Sequence, residues 1–303
     1  MLWTIDANIP NCSMKTLTKE DIETMNLSTI KLSTTEIPKV LYPLLLQKII
    51  NPDPNFDSDY AQLKKQWEST TEGQWRHHFK LREFVACIEK WIQKPHLKTE
   101  YHKKLFFNLS MTMFTHYFGE FPPTSQFISM VKTIFQAFLT DDADENGFKF
   151  VDGSKLTFDQ TEVFLFKYVR DAWTIISKDK YDPKKDFMCV RATLLNLSPS
   201  TFEVINDHGV DSFDFFKADC DSFYAKCRTQ EDRLLMFVAM LLSGNLTQFK
   251  QTIIAIASVL GHEQLHLIPV NDTQCFCQMF CNIFRHIDTR LLLHNYEKIQ
   301  MSL

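Results

Sequence analysis

The run from Leu234 to Leu242 comprises nine consecutive apolar residues, and it constrains the fold more than any other stretch. A helix that is apolar on every side is buried in protein or lies in lipid, and nine residues are far too few to span a bilayer. Ser243-Gly244-Asn245 follows, in which the glycine suits a helix C-terminus and the asparagine suits the N-cap of a second apolar helix. The sequence therefore predicts a buried antiparallel helix pair at the centre of the core.

Most of the remaining chain has the spacing of amphipathic helices. Apolar residues recur every three or four positions in the segments 72–93, 99–118, 124–138 and 159–177. Further helices are predicted at 183–195, 200–206 and 212–227, and a last one is predicted to run from 273 to 292. About a dozen helices predict an all-α fold, either a compact bundle or a short helical-repeat superhelix.

Composition indicates how these helices are grouped. Residues 1–34 are polar and rich in Thr and Ser, which predicts an irregular N-terminal segment. Residues 35–303 are predicted to form one all-helical domain, and two lobes at 35–140 and 158–303 are the alternative. We expect no signal peptide, because the first residues lack a basic region followed by an apolar run, and no membrane span.

The stretch between the two alternative lobes interrupts the helical spacing. Asp152-Gly153, flanked by alternating apolar residues, predicts a small β-hairpin near 148–158. The acidic loop 141–153 also matches the first half of a calcium-binding EF-hand loop. Its twelfth position is Gly153 rather than the glutamate that would bind calcium, so the hairpin is the simpler interpretation.

Glycine content and charge exclude several classes of function. The chain has 27 Phe and only 7 Gly, and none of the glycines forms a dinucleotide-binding or P-loop pattern. With 33 basic and 37 acidic residues, the net charge of −4 provides no field that would attract nucleic acid. We therefore expect neither a nucleotide cofactor nor a nucleic-acid partner.

One short motif could carry chemistry, His262-Glu263-Gln264-Leu265-His266. On a helix, residues four apart share a face, so the two histidines could bind Zn²⁺ while the glutamate activates a metal-bound water. Together with Val259-Leu260-Gly261 the string resembles the neprilysin-type zinc peptidases, which implies a zinc-dependent hydrolase. That family's third-ligand string, E-N-x-x-D, is absent from the 37 residues after His266.

Two other interpretations of the motif remain open. Gly261 before it and Pro269 after it predict a turn in which the two imidazole rings diverge, with ordinary polar residues and no metal. Alternatively, His262 and His266 could combine with Cys277 and Cys281, because two pairs at helical spacing on neighbouring helices supply four zinc ligands. We predict that no metal is bound.

The sequence as a whole favours a non-catalytic helical scaffold or adaptor that binds a protein partner. The large aromatic content suits a groove that accepts an apolar peptide helix. A zinc-dependent metallopeptidase or other hydrolase, with Glu263 as the catalytic residue, is the alternative. Eight cysteines in 303 residues are too few for a disulfide scaffold, so we expect reduced thiols in the cytoplasm or nucleus.

Overall fold

The computed structural model describes residues 4–9, 13–53, 57–69, 79–93, 97, 99–117, 125–177, 183–216 and 229–301. Within these ranges the chain forms fourteen α-helices, four short 3₁₀ helices and two small β-sheets, which confirms the all-α prediction. In the same ranges, no helix combines the length and hydropathy that a bilayer crossing requires.

The helices are numbered here in chain order. They are α1 (Lys19–Thr24), α2 (Tyr42–Ile50), α3 (Asp57–Glu68), α4 (Phe79–Ile92), α5 (Glu100–His116), α6 (Ser125–Phe138), α7 (Phe158–Ile176), α8 (Pro183–Leu197), α9 (Pro199–Asp207), α10 (Gln230–Leu242), α11 (Leu246–Leu260), α12 (His262–His266), α13 (Thr273–His286) and α14 (Thr289–Gln300).

The chain divides into two compact units. The first combines Met1–Pro38 with Ile176–Leu303, and the second consists of Lys39–Ile175. Helices α1 and α8 to α14 belong to the first unit, and α2 to α7 belong to the second. The segment 141–157, at which the alternative lobes were divided, lies inside the second unit.

The predicted apolar helix pair, α10 and α11, is buried in the first unit. Every residue from Leu234 to Leu241 is at most 5% exposed, and α11 buries both Phe249 and Ile253 completely. Asn245 caps α11 as predicted, since its side chain accepts a hydrogen bond from the backbone N–H of Gln248. The main neighbour of α11 is α8, however, and its contacts with α10 are fewer.

Two small sheets complete the fold. In the first unit β1 (Lys15–Thr16) pairs with β2 (Thr35–Glu36) in parallel, and in the second unit β3 (Leu139–Asp144), β4 (Gly147–Phe150) and β5 (Lys155–Leu156) are antiparallel. The pairing of β4 with β5 confirms the predicted hairpin. Gly147 has φ +130°, and a Cβ there would lie 1.9 Å from the carbonyl oxygen of Leu156, so this position requires glycine.

Two helix predictions near the C-terminus need correction. The single helix predicted over 273–292 is two helices, α13 and α14, separated at Ile287 and Asp288. The Asp288 carboxylate accepts hydrogen bonds from the backbone N–H groups of Arg290 and Leu291, and this N-cap begins α14. Of the helix predicted at 212–227, Asp214–Phe216 is a 3₁₀ turn, and residues 217–228 lie outside the described residues.

Candidate functional site

The H-E-x-x-H residues form the short helix α12 in the first unit. Gly261 has φ −91° rather than a positive value, and its N–H donates to the carbonyl oxygen of Ala257, so helical structure resumes at His262. The centroids of the His262 and His266 rings lie 5.9 Å apart, with the ring planes at 74°. The predicted turn with diverging rings is therefore wrong, because Gly261 does not reverse the chain.

Gly261 has a packing reason to be glycine. A Cβ at this position would lie 2.8 Å from Cγ2 of Ile283 on α13, which is closer than carbon atoms approach one another in proteins. The junction between α11 and α12 therefore packs directly against α13. Leu265, which is fully buried, holds the inner side of α12 in the same core.

His262 and His266 line a cavity of about 260 Å³, which we call the histidine cleft. The Nδ1 atom of His262 lies 3.2 Å from the hydroxyl oxygen of Thr201, a fully buried residue on α9. This contact couples α12 to α9. The cleft is lined by Ser200, Glu203, Val204, Asp207, His208, His262, His266, Ile268 and Val270.

Carboxylates form the wall of the cleft opposite the histidines. Glu203 and Asp207 are four residues apart on α9, where they share a face, and both are exposed. The segments 192–216 and 251–284, which supply all nine lining residues, contain six carboxylates and no Lys or Arg. The lining of the histidine cleft is therefore acidic: within the described residues it contains Glu203 and Asp207 and no Lys or Arg, although the Arg191 guanidinium lies over the ring of Phe202 beside Glu203.

The turn between α12 and α13 presents two large apolar side chains beside the cleft. Leu267 is 83% exposed and Val270 is 62% exposed, whereas Ile268 between them is buried. The turn is fixed to α9 because the backbone N–H of Asn271 donates to the carbonyl oxygen of Asp207 at 3.3 Å. The exposed Leu267 and Val270 therefore belong to a turn whose backbone is hydrogen-bonded to α9.

His208 is the second anchor of this turn. It is 2% exposed, and its two ring nitrogens face the carbonyl oxygens of Val204 at 2.6 Å and Ile268 at 3.1 Å. A neutral imidazole donates one of these hydrogen bonds, and the protonated ring donates both. The hydroxyl of Thr273 in turn donates to the carbonyl oxygen of His208, which connects the start of α13 to the same point.

The residues required for zinc-dependent hydrolysis are not gathered in the cleft. Glu263 is exposed and is not among the lining residues, although His262 and His266 are. In the part of the chain that the structure describes, no three His, Cys, Asp or Glu side chains lie close enough together to hold a metal ion. A catalytic role for Glu263 would need a third protein ligand that this geometry does not provide.

The alternative zinc site with two cysteines is not assembled either. Cys277 and Cys281 lie on α13 beside its buried face, both half-buried, and neither lines the histidine cleft. Burial raises the pKa of the Cys277 thiol, and the neighbouring Cys281 raises it further.

The acidic loop of the second unit is part of a sheet. Asp141 to Asp144 belong to β3, and the Asp144 carboxylate pairs with the ammonium group of Lys155 across the sheet at 2.9 Å. The hydrogen bond from Lys155 lowers the pKa of Asp144. These contacts use the acidic residues without a calcium ion.

A buried charge in the second unit was not foreseen from the sequence. Glu162 on α7 is fully buried and accepts hydrogen bonds from Tyr60 and Lys64 on α3 and from Asn108 on α5. Burial and the charge of Glu162 raise the pKa of Tyr60. Glu162 lies in the polar string Asp-Gln-Thr-Glu, which predicts a solvent-exposed first turn of a helix. The sequence therefore gave no indication that this glutamate is buried.

No protein-family model matches the sequence, and no curated protein matches it.

Proposed function

We propose that this chain is a non-catalytic helical scaffold that binds a protein partner at the histidine cleft and at the adjoining Leu267 and Val270. The observation that carries the proposal is the exposure of Leu267, 83%, on a turn that is hydrogen-bonded to α9. Leu267 is the most exposed of the large apolar residues in the described ranges.

The ordered turn is what distinguishes these residues from ordinary surface apolar residues. Single exposed aliphatic side chains are common and need no explanation. Here two of them lie within four positions beside a cavity, and His208 and Asp207 hold the backbone that carries them. When the turn is already ordered, binding of a partner loses little conformational entropy of this turn. More of the free energy from apolar burial then contributes to affinity.

The charge of the surrounding segments selects the partner. Six carboxylates and no Lys or Arg in the segments 192–216 and 251–284 favour a segment that combines basic and apolar residues. An amphipathic helix with Lys or Arg on one face and Leu on the other has this chemistry. The same charges repel the phosphates of nucleic acid.

Several features support a binding role without catalysis. Glu263 lies outside the cleft lining, and the carboxylates that do line it, Glu203 and Asp207, are solvent-exposed. Catalytic acids and bases are usually held in enclosed environments that shift their pKa. We further propose a cytoplasmic or nuclear location, since Cys87, Cys189 and Cys275 are free thiols.

The proposal is tested with two synthetic helical peptides, one composed of Leu and Lys and the other of Leu and Glu. Fluorescence anisotropy measures their binding to the protein and to a variant with Leu267→Ser and Val270→Ser. The matched control carries Met188→Ser and Leu195→Ser, because these residues are 61% and 47% exposed on α8.

We expect the Leu/Lys peptide to bind and the Leu/Glu peptide not to bind. The Leu267/Val270 variant is expected to weaken binding at least tenfold, while the α8 control leaves it unchanged. A variant with Glu203→Gln and Asp207→Asn is expected to weaken binding mainly at low salt, because exposed charges are screened at high salt. The proposal would be contradicted if the α8 control lost as much affinity for the Leu/Lys peptide as the Leu267/Val270 variant. It would also be contradicted if none of the three variants changed the affinity.

A further inference from the structure

A second cavity of the first unit lies along α14 and has no part in the proposed partner surface. Its volume is about 480 Å³, which is within the range of roughly 300–1,000 Å³ that is typical of small-molecule sites. Its walls are residues 27–32, the C-terminal end of α10 and one side of α14. We call it the α14 pocket, and its apolar lining consists of Leu27, Ile30, Leu32, Ala239, Leu242, Leu293 and Met301.

The wall formed by residues 27–32 is held in place by side chains of α14. The Arg290 guanidinium donates to the carbonyl oxygens of Leu32 at 3.1 Å and Thr35 at 2.8 Å. Two helical turns after Arg290, Glu297 accepts hydrogen bonds from the backbone N–H and the hydroxyl of Ser33. These contacts fix the end of the wall at Leu32 and Ser33, which lowers the entropic cost of occupying the pocket.

Glu297 also lines the pocket, and among the described residues that line it Glu297 is the only carboxylate. A carboxylate has about four acceptor positions, and the backbone and hydroxyl of Ser33 occupy two of them. A third is used by the backbone N–H of Leu32. Glu297 thus has acceptor capacity left for a further hydrogen bond.

The distribution of charge indicates what kind of donor fits. Burial raises the pKa of Glu297, and the hydrogen bonds from Ser33 offset this only in part. A cation beside the carboxylate would stabilise its ionised form. Lys31, the one basic residue among the described residues that line the pocket, is exposed to solvent.

We infer that the α14 pocket binds a small organic cation, in which an ammonium group contacts the carboxylate of Glu297 and an apolar body lies among Leu27, Ile30 and Leu242. The ammonium donates a charge-assisted hydrogen bond, which is stronger than its neutral equivalent. The apolar body gains affinity because it leaves water. An anionic ligand of the same shape would meet the charge of Glu297 and be excluded.

Three probes with one apolar body and different head groups test the inference. Phenylbutylamine carries the ammonium, phenylbutanol a neutral hydroxyl and phenylbutanoate a carboxylate. Isothermal titration calorimetry at neutral pH, with the full chain, measures the three affinities. We expect the amine to bind at least tenfold more tightly than the alcohol and the carboxylate to show no binding.

Variants locate the binding in this pocket. Leu242→Trp fills it from α10, and Ile30→Trp fills it from the opposite wall, so either is expected to abolish amine binding. Glu297→Gln removes the charge, and amine and alcohol are then expected to bind equally. Leu195→Trp adds the same ring to an exposed position of α8 and is expected to change nothing.

Failure of the amine to bind wild-type protein would overturn the inference. Amine binding that persists in both tryptophan variants, or an unchanged preference for the amine in Glu297→Gln, would also overturn it. Circular dichroism checks that each variant is folded, and if one tryptophan variant is not, the other and Glu297→Gln decide the outcome.

Discussion

The phenol oxygen of Tyr60 lies 3.0 Å from a carboxylate oxygen of Glu162, and these two residues are 3% and 0% exposed. Lys64 donates to the same carboxylate and neutralises its charge. Burial alone would lower the pKa of Lys64, but the hydrogen bond and the charge of Glu162 outweigh it and raise that pKa. The buried carboxyl group of Glu162 thus joins α3, α5 and α7 in the second unit.

Replacing Glu162 should destabilise the second unit strongly. Glu162→Ala leaves Tyr60 and Asn108 without their acceptor, and we expect a loss of about 3–5 kcal/mol, as for other broken buried ion pairs. Asp159→Asn is the control, because Asp159 also faces Lys64, at 3.5 Å, but its side chain is 87% exposed. Its expected cost is below about 0.5 kcal/mol. Urea unfolding measures both, and similar costs for the two variants would contradict the prediction.

A methyl group at position 261 should disturb the support of the histidine cleft. Gly261→Ala places Cβ against Ile283, and overpacking of this kind costs about 1–3 kcal/mol. Ile283→Ala removes the obstructing atoms, so Gly261→Ala should cost clearly less in that background. Thermal unfolding of the two single variants and the double variant measures this coupling. Additive losses would show that Ile283 is not the reason for the glycine.

Metal analysis should find no stoichiometric zinc in protein purified without chelators. Glu263 does not line the cleft, and the four predicted ligands do not form one group within the described residues. Glu263→Gln is therefore expected to leave both peptide hydrolysis and melting temperature unchanged. One zinc atom per chain that is lost in His262→Ala would refute this and favour the hydrolase. Loss of such a zinc in a Cys277→Ser, Cys281→Ser variant would favour a structural site instead.

The stability of the first unit should carry a pH dependence from Glu297. Its pKa is raised in the folded state, so the folded chain binds this proton more tightly than the unfolded chain. The resulting contribution to stability is fully present below the unfolded pKa and is lost as pH rises through the folded pKa. Relative to Glu297→Gln, the wild-type protein should therefore become less stable as pH rises from about 4 to neutral.

Urea midpoints of the two proteins at several pH values test this sign. The difference between them removes the contribution of groups that do not interact with Glu297, such as Asp21. A difference that stays constant with pH, or grows in favour of the wild type, would contradict the prediction.

Local sequence was sufficient for most of the helices and for the cap of α11, although it missed the break between α13 and α14. The periodicity of Phe127, Val131 and Ile134 predicted a core-facing stripe of α6, and all three residues are fully buried. As predicted, Asn245 caps the start of α11, and the Asp152-Gly153 pair lies in the turn of the hairpin between β4 and β5. These features depend on residues a few positions apart, so the chain encodes them without reference to its tertiary fold.

The candidate site depends on distant residues and could be predicted only in part. His262 and His266 were visible as a motif, but Thr201, Glu203 and Asp207 lie about 60 residues earlier and share no pattern with them. The absence of Lys and Arg from both segments was a signal that could have connected them. Nothing in the sequence indicated that Leu267 would be exposed while Ile268 beside it is buried.

The sequence by itself determined which segments are helical and which faces are apolar. Only the tertiary structure decided that α11 lies mainly against α8, that α12 faces α9, and that Glu162 is buried with Lys64. The physical reason is that apolar burial is non-directional. It fixes which face of a helix leaves water, whereas shape and hydrogen-bond geometry between distant segments select the partner that covers that face.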